Sequence, residues 1–344
     1  MAEVRFPKFT NLPLVPDNVA RFLSLHARSG YNAKNMYSEQ FGYSHREILL
    51  KYCGLDFSVQ ILGNLQHGVM LDYYFYGRAN LQSPRFLFGK RTNFWVFSSR
   101  TMKLAHAQGR KRVIAIGAPW LYLRKSVDNS LPRMKEKRSL VMPGHSSYSY
   151  PSRITSIEKR KRAAGFRKIV GSGMATVCLH PSDYLDPECV DAYIKEGFQV
   201  TCIGAVGVQP YWTEAGNRVR ALYTLLTLMS THTELVTDRY GTHLFYAIDL
   251  ALNVGIYPEL FPNHSIIDAS GRKTIQEDLV DINMSLLYLN QNLPKLVNQI
   301  HSSKEYREIS DEVLGADAIL TPRDLVQILE YRRNVYPVTP IQPW

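Results

Sequence analysis

Short apolar runs that stop at glycine or proline constrain the fold of this chain more than any other feature. Residues 113–116 stop at Gly117, and residues 175–179 stop shortly before Pro181. Runs of this length and composition are typical of strands buried in a parallel sheet. Helix-like stretches, such as the one at 218–230, lie between such runs. The alternation predicts an α/β fold.

The alternation stops in a basic, polar stretch at 125–138 and then starts again. A length of 344 residues is itself enough for two domains. We therefore expect one sheet-and-helix domain at 1–138 and a second one at 139–310. Residues 311–344 are expected to form a helical tail, because Pro322 suits the first position of a helix.

Positive charge is concentrated in the middle third of the chain. The formal net charge is +11, and clusters of lysine and arginine lie at 110–112, 133–138 and 159–168. Such an excess attracts anionic partners, including phosphate-rich ligands and an anionic membrane surface. A solvated surface that only keeps the protein soluble explains the clusters equally well. No recognisable nucleic-acid-binding module accompanies them, so we do not expect nucleic acid as a partner.

Other features of the sequence favour a cytoplasmic protein. No stretch approaches the roughly 18 to 20 apolar residues that a membrane span needs, and residues 1–16 show no signal-peptide pattern. The four cysteines form no Cys-x-x-Cys pair. This spacing argues against a disulfide scaffold or a zinc ribbon.

The first candidate functional residues are His180 and Pro181, which follow one of the expected strands. Ligands of parallel α/β sheets bind outside the carboxyl ends of the strands. A histidine at that position can donate a hydrogen bond to a phosphate and, when protonated, can stabilise a leaving group. A loop histidine that bonds only to backbone is an equally good interpretation.

A second candidate is the loop that follows the apolar run at 234–237. It contains Thr237, Asp238, Gly241 and Thr242 and leads into an apolar, helix-like stretch. Backbone N–H groups at the start of such a helix favour an anion. The same residues also suit plain helix capping, with Thr242 as the cap.

Two further groups complete the set of candidates. His67 and Asp72 lie in the first half of the chain, and either can accept a proton from an incoming hydroxyl if it faces the crevice. For such a histidine, a purely structural role is the commoner outcome. His145, Ser146 and Ser147 open the second domain and are expected to line the crevice from the opposite side.

Four short motifs, in this order, carry a resemblance to a known family. They are Leu65-Gln66-His67-Gly68, the hexapeptide at 116–121, Leu179-His180-Pro181 and the segment 236–247. The chain resembles bacterial glycosyltransferases of the GT-B architecture, which has two Rossmann-like lobes and a central cleft. Within that architecture it is most similar to transferases with CMP-sialate, CMP-Kdo or other CMP-nonulosonate donors. A more distant likeness is to CDP-glycerol polyol-phosphate transferases.

The resemblance implies that the first domain binds the acceptor and the second binds the nucleotide sugar. His180, aimed by Pro181, would contact the donor phosphate, and Thr242 would help to hold the CMP end. Related chains commonly have paired hydroxyl residues where this one has Thr237-Asp238, so Asp238 is expected to contact ribose or base. The general base would be His67 or Asp72.

The resemblance also implies that a CMP-sugar is the donor substrate and that no cofactor is needed. The chain has no Asp-x-Asp pair, and we expect metal-independent transfer. The acceptor would be a surface polysaccharide or a glycolipid, with the protein peripheral on the inner face of the cytoplasmic membrane. Two alternatives stay open: a CDP-polyol phosphate transferase, and a non-catalytic GT-B module that binds glycans or partners during capsule assembly.

Overall fold

The structure is a computed structural model that describes most of the chain from residue 45 to residue 330. The described residues are 45–55, 64–66, 68–69, 94–107, 109, 111–127, 131, 136–144, 154–184, 186–203, 215–260 and 285–330. The strands are β1 (Asn64–Leu65), β2 (Phe94–Val96), β3 (Val113–Ala115), β4 (Ser139–Met142), β5 (Ala175–Leu179), β6 (Gln199–Cys202), β7 (Glu234–Thr237), β8 (Asn253–Ile256) and β9 (His301–Ser302). The labelled helices are α1 (His45–Tyr52), α2 (Ser99–Ala107), α3 (Pro119–Val127), α4 (Ser156–Val170), α5 (Pro181–Tyr184), α6 (Pro187–Lys195), α7 (Ala215–Ser230), α8 (Thr242–Asp249), α9 (Arg307–Leu314) and α10 (Pro322–Glu330). Residues 285–292 are also helical.

The larger of the two sheets has the strand order β6-β5-β4-β7-β8-β9. Its first five strands are parallel, and β9 pairs with β8 in the antiparallel direction. The chain fills the sheet outward from β4 to β6 and then crosses to β7 on the other side of β4. The strand order therefore reverses between β4 and β7, as it does in doubly wound nucleotide-binding sheets.

The smaller sheet is parallel and has the order β1-β2-β3. Its strands are only two or three residues long, but β2 is buried throughout. α2 connects β2 to β3 and packs against both strands. The smaller sheet is thus a second, shorter parallel unit of strands and a connecting helix.

The structure confirms the coarse prediction of a mixed α/β fold with mostly parallel strands. The run at 175–179 is a strand, the run at 113–116 forms β3 except for its last residue, and the stretch at 218–230 is helical. The expected domain boundary at 138 falls immediately before β4. The expected boundary at 310 falls inside α9.

The two sheets share one hydrophobic cluster, which includes Trp95 of β2 and Leu235 of β7. Helices make the main polar and aromatic contacts between them. Trp120 of α3 stacks on Tyr246 of α8, with ring centroids 4.1 Å apart and an interplanar angle of 7°. The Trp120 indole N–H also donates to the carboxylate of Asp249, at 2.8 Å.

Residues 315–320 return to the smaller sheet after α9. Gly315 ends α9 in a left-handed conformation, at φ 74°, and lies so close to β2 that an added Cβ would be 1.9 Å from the Phe97 carbonyl oxygen. Ala318 joins the cluster formed by β2, α2 and β3. The backbone N–H of Leu320 donates to the Tyr122 hydroxyl at 3.0 Å. This segment completes the core of the smaller sheet.

Within the part of the chain that the structure describes, every helix is too short or too polar to cross a lipid bilayer.

Candidate functional site

The reversal of strand order fixes where a ligand site is expected. β4 and β7 are neighbours, and both strands end at the same edge of the larger sheet, at Met142 and Thr237. In doubly wound sheets the crevice outside such a pair of carboxyl ends is the usual ligand site. The residues that follow these two strands, Gly144 and Asp238, therefore form the floor of the expected crevice.

Asp238 links the ends of the two central strands. One carboxylate oxygen accepts a hydrogen bond from the backbone N–H of Gly144 at 2.7 Å. The other accepts from Nε of Arg162 in α4 at 2.6 Å, and the Arg162 guanidinium also donates to the Gly144 carbonyl at 2.7 Å. Both side chains are buried, with 2% of Asp238 and 7% of Arg162 exposed. One buried ion pair thus joins α4 to the loops that follow β4 and β7.

The charge of Arg162 is stabilised within this cluster. Burial alone lowers the pKa of a guanidinium, but the nearby Asp238 carboxylate more than offsets burial and raises the pKa of Arg162 above its ordinary value. A charged arginine and a carboxylate in direct contact leave the crevice floor locally neutral. The cluster therefore fixes the shape of the floor without attracting an anion.

Thr237 is fully buried at the end of β7. Its hydroxyl donates to the Met142 carbonyl at 2.8 Å, which ties β7 to β4. Nε2 of His243 lies 3.1 Å from the same hydroxyl oxygen. Because the hydroxyl proton is used toward Met142, the imidazole must donate in that contact. The threonine thus orients a histidine in the first turn of α8.

The loop after β7 reaches the smaller sheet through Thr242, the first residue of α8. The Thr242 hydroxyl accepts a hydrogen bond from the backbone N–H of Val69 at 3.0 Å. Gly68 approaches the same hydroxyl so closely that an added Cβ would be 2.7 Å from its oxygen. Gly241 precedes α8 in an extended conformation and offers no side-chain cap. Two of the motifs that carried the family resemblance are therefore in contact.

Gln66 holds the loop that follows β1. Its side-chain oxygen accepts from the backbone N–H of Phe97 at 2.9 Å, and its amide nitrogen donates to the Gly68 carbonyl at 2.7 Å. Gln66 is 2% exposed. This one side chain connects the end of β2 to the turn that contacts α8.

His180 follows β5, which pairs with β4, so it lies at the same edge of the larger sheet as Asp238. Two strand spacings separate β5 from β7, on the order of 10 Å across the sheet. The His180 carbonyl accepts hydrogen bonds from the backbone N–H groups of Asp183 and Tyr184, both at 2.9 Å. Pro181 is the first residue of the short helix α5 that follows.

The remaining candidate residues fall outside the part of the chain that the structure describes. They are His67, Asp72, His145, Ser146 and Ser147. Their assignment to the site stays a prediction. Across the described ranges, no three histidine, cysteine or acidic side chains come together as a possible metal site.

Two residues that organise the site, Arg162 and His243, are not among the individual candidates predicted from the sequence. In the sequence, Arg162 belongs to a basic cluster, but it also shares one stripe of α4 with the buried Phe166 and Val170 at four-residue spacing. An arginine on an apolar stripe is a usable signal for a buried ion pair. His243 lies within the motif at 236–247, but no pattern in the sequence distinguished it from its neighbours.

No protein family matches the chain by its sequence profile, and no curated protein sequence is significantly similar to it. Among solved structures, the chain is similar to the pneumococcal O-GlcNAc transferase GtfA, determined in complex with UDP and GlcNAc. The two sequences are 14% identical, the match covers 76% of this chain, and the TM-score is 0.30. The chain spans about half the length of that transferase, since 46% of it is covered. A TM-score this low assigns neither a fold nor an activity.

Proposed function

We propose that this protein is a glycosyltransferase of the GT-B type that transfers a nonulosonate sugar, Kdo or a sialic-acid-like sugar, from a CMP donor. One observation carries the proposal: the reversed strand order at β4 and β7 and the Thr242–Val69 contact bring the ends of strands from both sheets to one place. A transferase with two substrates needs such a meeting point. The choice of CMP rests on the motif resemblance.

In this proposal Thr242 and the start of α8 hold the donor phosphate. The Thr242 hydroxyl accepts a hydrogen bond from Val69, so its own proton remains to donate to a phosphate oxygen. The first backbone N–H groups of α8 and the positive end of the helix dipole favour the same anion. Asp238 has both carboxylate oxygens engaged. We therefore assign Asp238 to holding the crevice floor rather than to ribose or base.

His180 is proposed to act on the leaving group. When the bond between the anomeric carbon and the phosphate oxygen breaks, its electron pair stays on CMP, and a protonated imidazole stabilises that charge. The acceptor hydroxyl then forms the new bond to the anomeric carbon and loses its proton. His67 or Asp72 would take that proton. The acceptor is proposed to be a surface polysaccharide or a glycolipid.

Thermal unfolding with CMP, CDP, UDP and GDP tests the donor. A nucleotide that binds only the folded protein stabilises it by about 2.7 kcal/mol at a concentration a hundredfold above its Kd. We expect CMP to raise Tm most. A larger shift with CDP would favour the polyol-phosphate transferase instead. No shift with any of the four nucleotides at millimolar concentration would overturn the proposal.

His180→Ala tests the catalytic assignment. We expect donor turnover to fall roughly tenfold to a hundredfold, on the scale of one lost transition-state contact. His301→Ala is the matched control, because His301 lies exposed on β9. Near-normal turnover in a folded His180→Ala protein would remove His180 from the mechanism. A CMP-binding protein that turns over no CMP-sugar, while retaining His180, would favour the non-catalytic module.

A further inference from the structure

Helix α4 carries six cationic side chains within ten residues of sequence. They are Lys159, Arg160, Lys161, Arg162, Arg167 and Lys168. From sequence alone, this cluster is compatible with a solvated surface or with a binding site for an anion. The structure separates the six into two groups of three.

Three of the six are engaged with neighbouring elements. Lys159 forms an ion pair with Asp186 at 2.5 Å, and Arg162 belongs to the crevice floor described above. Arg167 lies over the ring of Phe198, 4.0 Å from its centroid, and its Nε donates to a backbone carbonyl of the loop after α6. These three cations stabilise the fold and are not available to an outside partner.

The other three cations, Arg160, Lys161 and Lys168, are exposed. Among the described residues, none of the three has a carboxylate within ion-pair distance. At 100° per residue they fall within roughly 100° of the helix circumference, with Ile157 and Ala164 on the same stripe. Ile157 is 57% exposed. α4 thus presents a face on which three exposed cations lie beside the apolar side chains of Ile157 and Ala164.

We propose that this face of α4 binds the surface of an anionic lipid bilayer. Cations beside exposed apolar side chains suit the boundary between headgroups and acyl chains. Met174, just beyond the end of α4, is 53% exposed and adds a second apolar side chain near the other end of the helix. The phosphates of a nucleic acid would also bind the cations, but an exposed Ile157 side chain would add nothing to that affinity. The inference rests on the proposed function only where it places the crevice beside a lipid-linked acceptor.

The position of α4 gives such binding a consequence for the site. α4 follows β4 in the chain, and its residue Arg162 contacts Gly144 at the crevice floor. The first turn of α4, which holds Ile157, is therefore near the edge of the sheet where the crevice opens. A protein docked through this face would hold its crevice beside the bilayer, within reach of a lipid-linked acceptor.

Vesicle binding tests the inference without any nucleotide present. The probes are phosphatidylcholine vesicles with and without phosphatidylglycerol, in about 0.1 M salt. We expect the protein to bind only the anionic vesicles. The triple variant Arg160→Gln, Lys161→Gln, Lys168→Gln should bind them roughly a hundredfold more weakly, since each cation near an anionic bilayer contributes about fivefold.

Ile157→Ser should weaken binding roughly tenfold without any change of charge. The matched control is Lys103→Gln, Lys111→Gln, Arg323→Gln, which removes the same charge from exposed positions outside α4. An equal loss in this control, or full binding by the α4 triple variant, would overturn the inference. So would a protein that binds duplex DNA and ignores anionic vesicles. If the α4 triple variant has a lower Tm than the unaltered protein, Ile157→Ser tests the inference by itself.

The nucleotide experiment and the vesicle experiment fail independently. Binding to anionic vesicles through α4, without binding to any nucleotide, would support this docking surface and contradict the proposed function. Binding to CMP, without binding to any vesicle, would support the proposed function and contradict the docking surface.

Discussion

Two buried aspartates flank α8, and their surroundings differ. Asp238 lies four residues before the helix and Asp249 is its last residue, and each is 2% exposed. Asp238 pairs with one arginine that is itself buried. Asp249 pairs with Arg124 at 2.5 Å and with Arg307 at 2.8 Å, and these side chains are 20% and 42% exposed. The first aspartate fixes the ends of neighbouring strands, and the second fixes one sheet against the other.

Two equally buried carboxylates can therefore contribute unequally to the free energy of unfolding. An arginine that reaches water can recover hydration when its partner is removed, whereas a buried arginine cannot. We therefore expect the loss of the Asp238 carboxylate to lower the free energy of unfolding more than the loss of the Asp249 carboxylate.

Asp238→Ala is expected to have the largest effect on the free energy of unfolding. It leaves the Arg162 guanidinium buried without a carboxylate, and the loss of one partner from a buried pair costs about 3 to 5 kcal/mol. Urea unfolding measures the change. Asp191→Ala is the control, because Asp191 pairs with Lys195 on the surface, where a pair contributes about 0.5 kcal/mol. Equal losses in the two variants would remove the special role of Asp238.

Asp249→Ala should cost less, about 2 kcal/mol, because the arginines turn to water and only the Trp120 indole N–H loses its partner inside the protein. The same urea experiment measures it. Arg307→Gln, which leaves Arg124 and Trp120 in place, should cost under about 1 kcal/mol. A loss for Asp249→Ala that exceeds the loss for Asp238→Ala would reverse the comparison.

Gly68→Ala probes the contact between the sheets on the crevice side, where we expect a smaller loss than for either aspartate. The added methyl group would overlap the Thr242 hydroxyl, and overpacking of this kind costs about 1 to 2 kcal/mol. The double variant Gly68→Ala, Thr242→Ala should recover most of that loss, as a double-mutant cycle measures. Gly173→Ala is the control, since its added Cβ meets open space. If the Thr242→Ala substitution does not reduce the loss of stability, overlap with the Thr242 hydroxyl is not the cause of the Gly68→Ala effect.

The strands could be predicted because their signal is local. A run such as 175–179 buries nearly every residue of one strand, so its composition alone identifies it. The apolar run at 58–62 lies outside the described residues, and the two described residues of β1 are too few to show a pattern. The strand ends therefore identified, from the sequence, the edge of the larger sheet where the crevice is expected, while the extent of the smaller sheet needed the structure.

The ion pairs at the two ends of α8 could not be predicted in the same way. Asp238 and Arg162 are 76 residues apart, and Asp249 and Trp120 are 129 apart. Each pair depends on how a helix is oriented against a sheet, which no local pattern encodes. Only the apolar stripe of α4, shared by Arg162 and Phe166, gave a hint.

The return of residues 315–320 to the smaller sheet affects how the protein is made. The Leu320 N–H that bonds to Tyr122 is translated 198 residues after it, and Ala318 fills the core beside β3. In a nascent chain, β4 to β8 are therefore available for pairing before residues 315–320, which pack against the smaller sheet, have been synthesised. Until that segment emerges from the ribosome, the side of β2 and β3 that Ala318 covers in the folded protein lacks this part of its core.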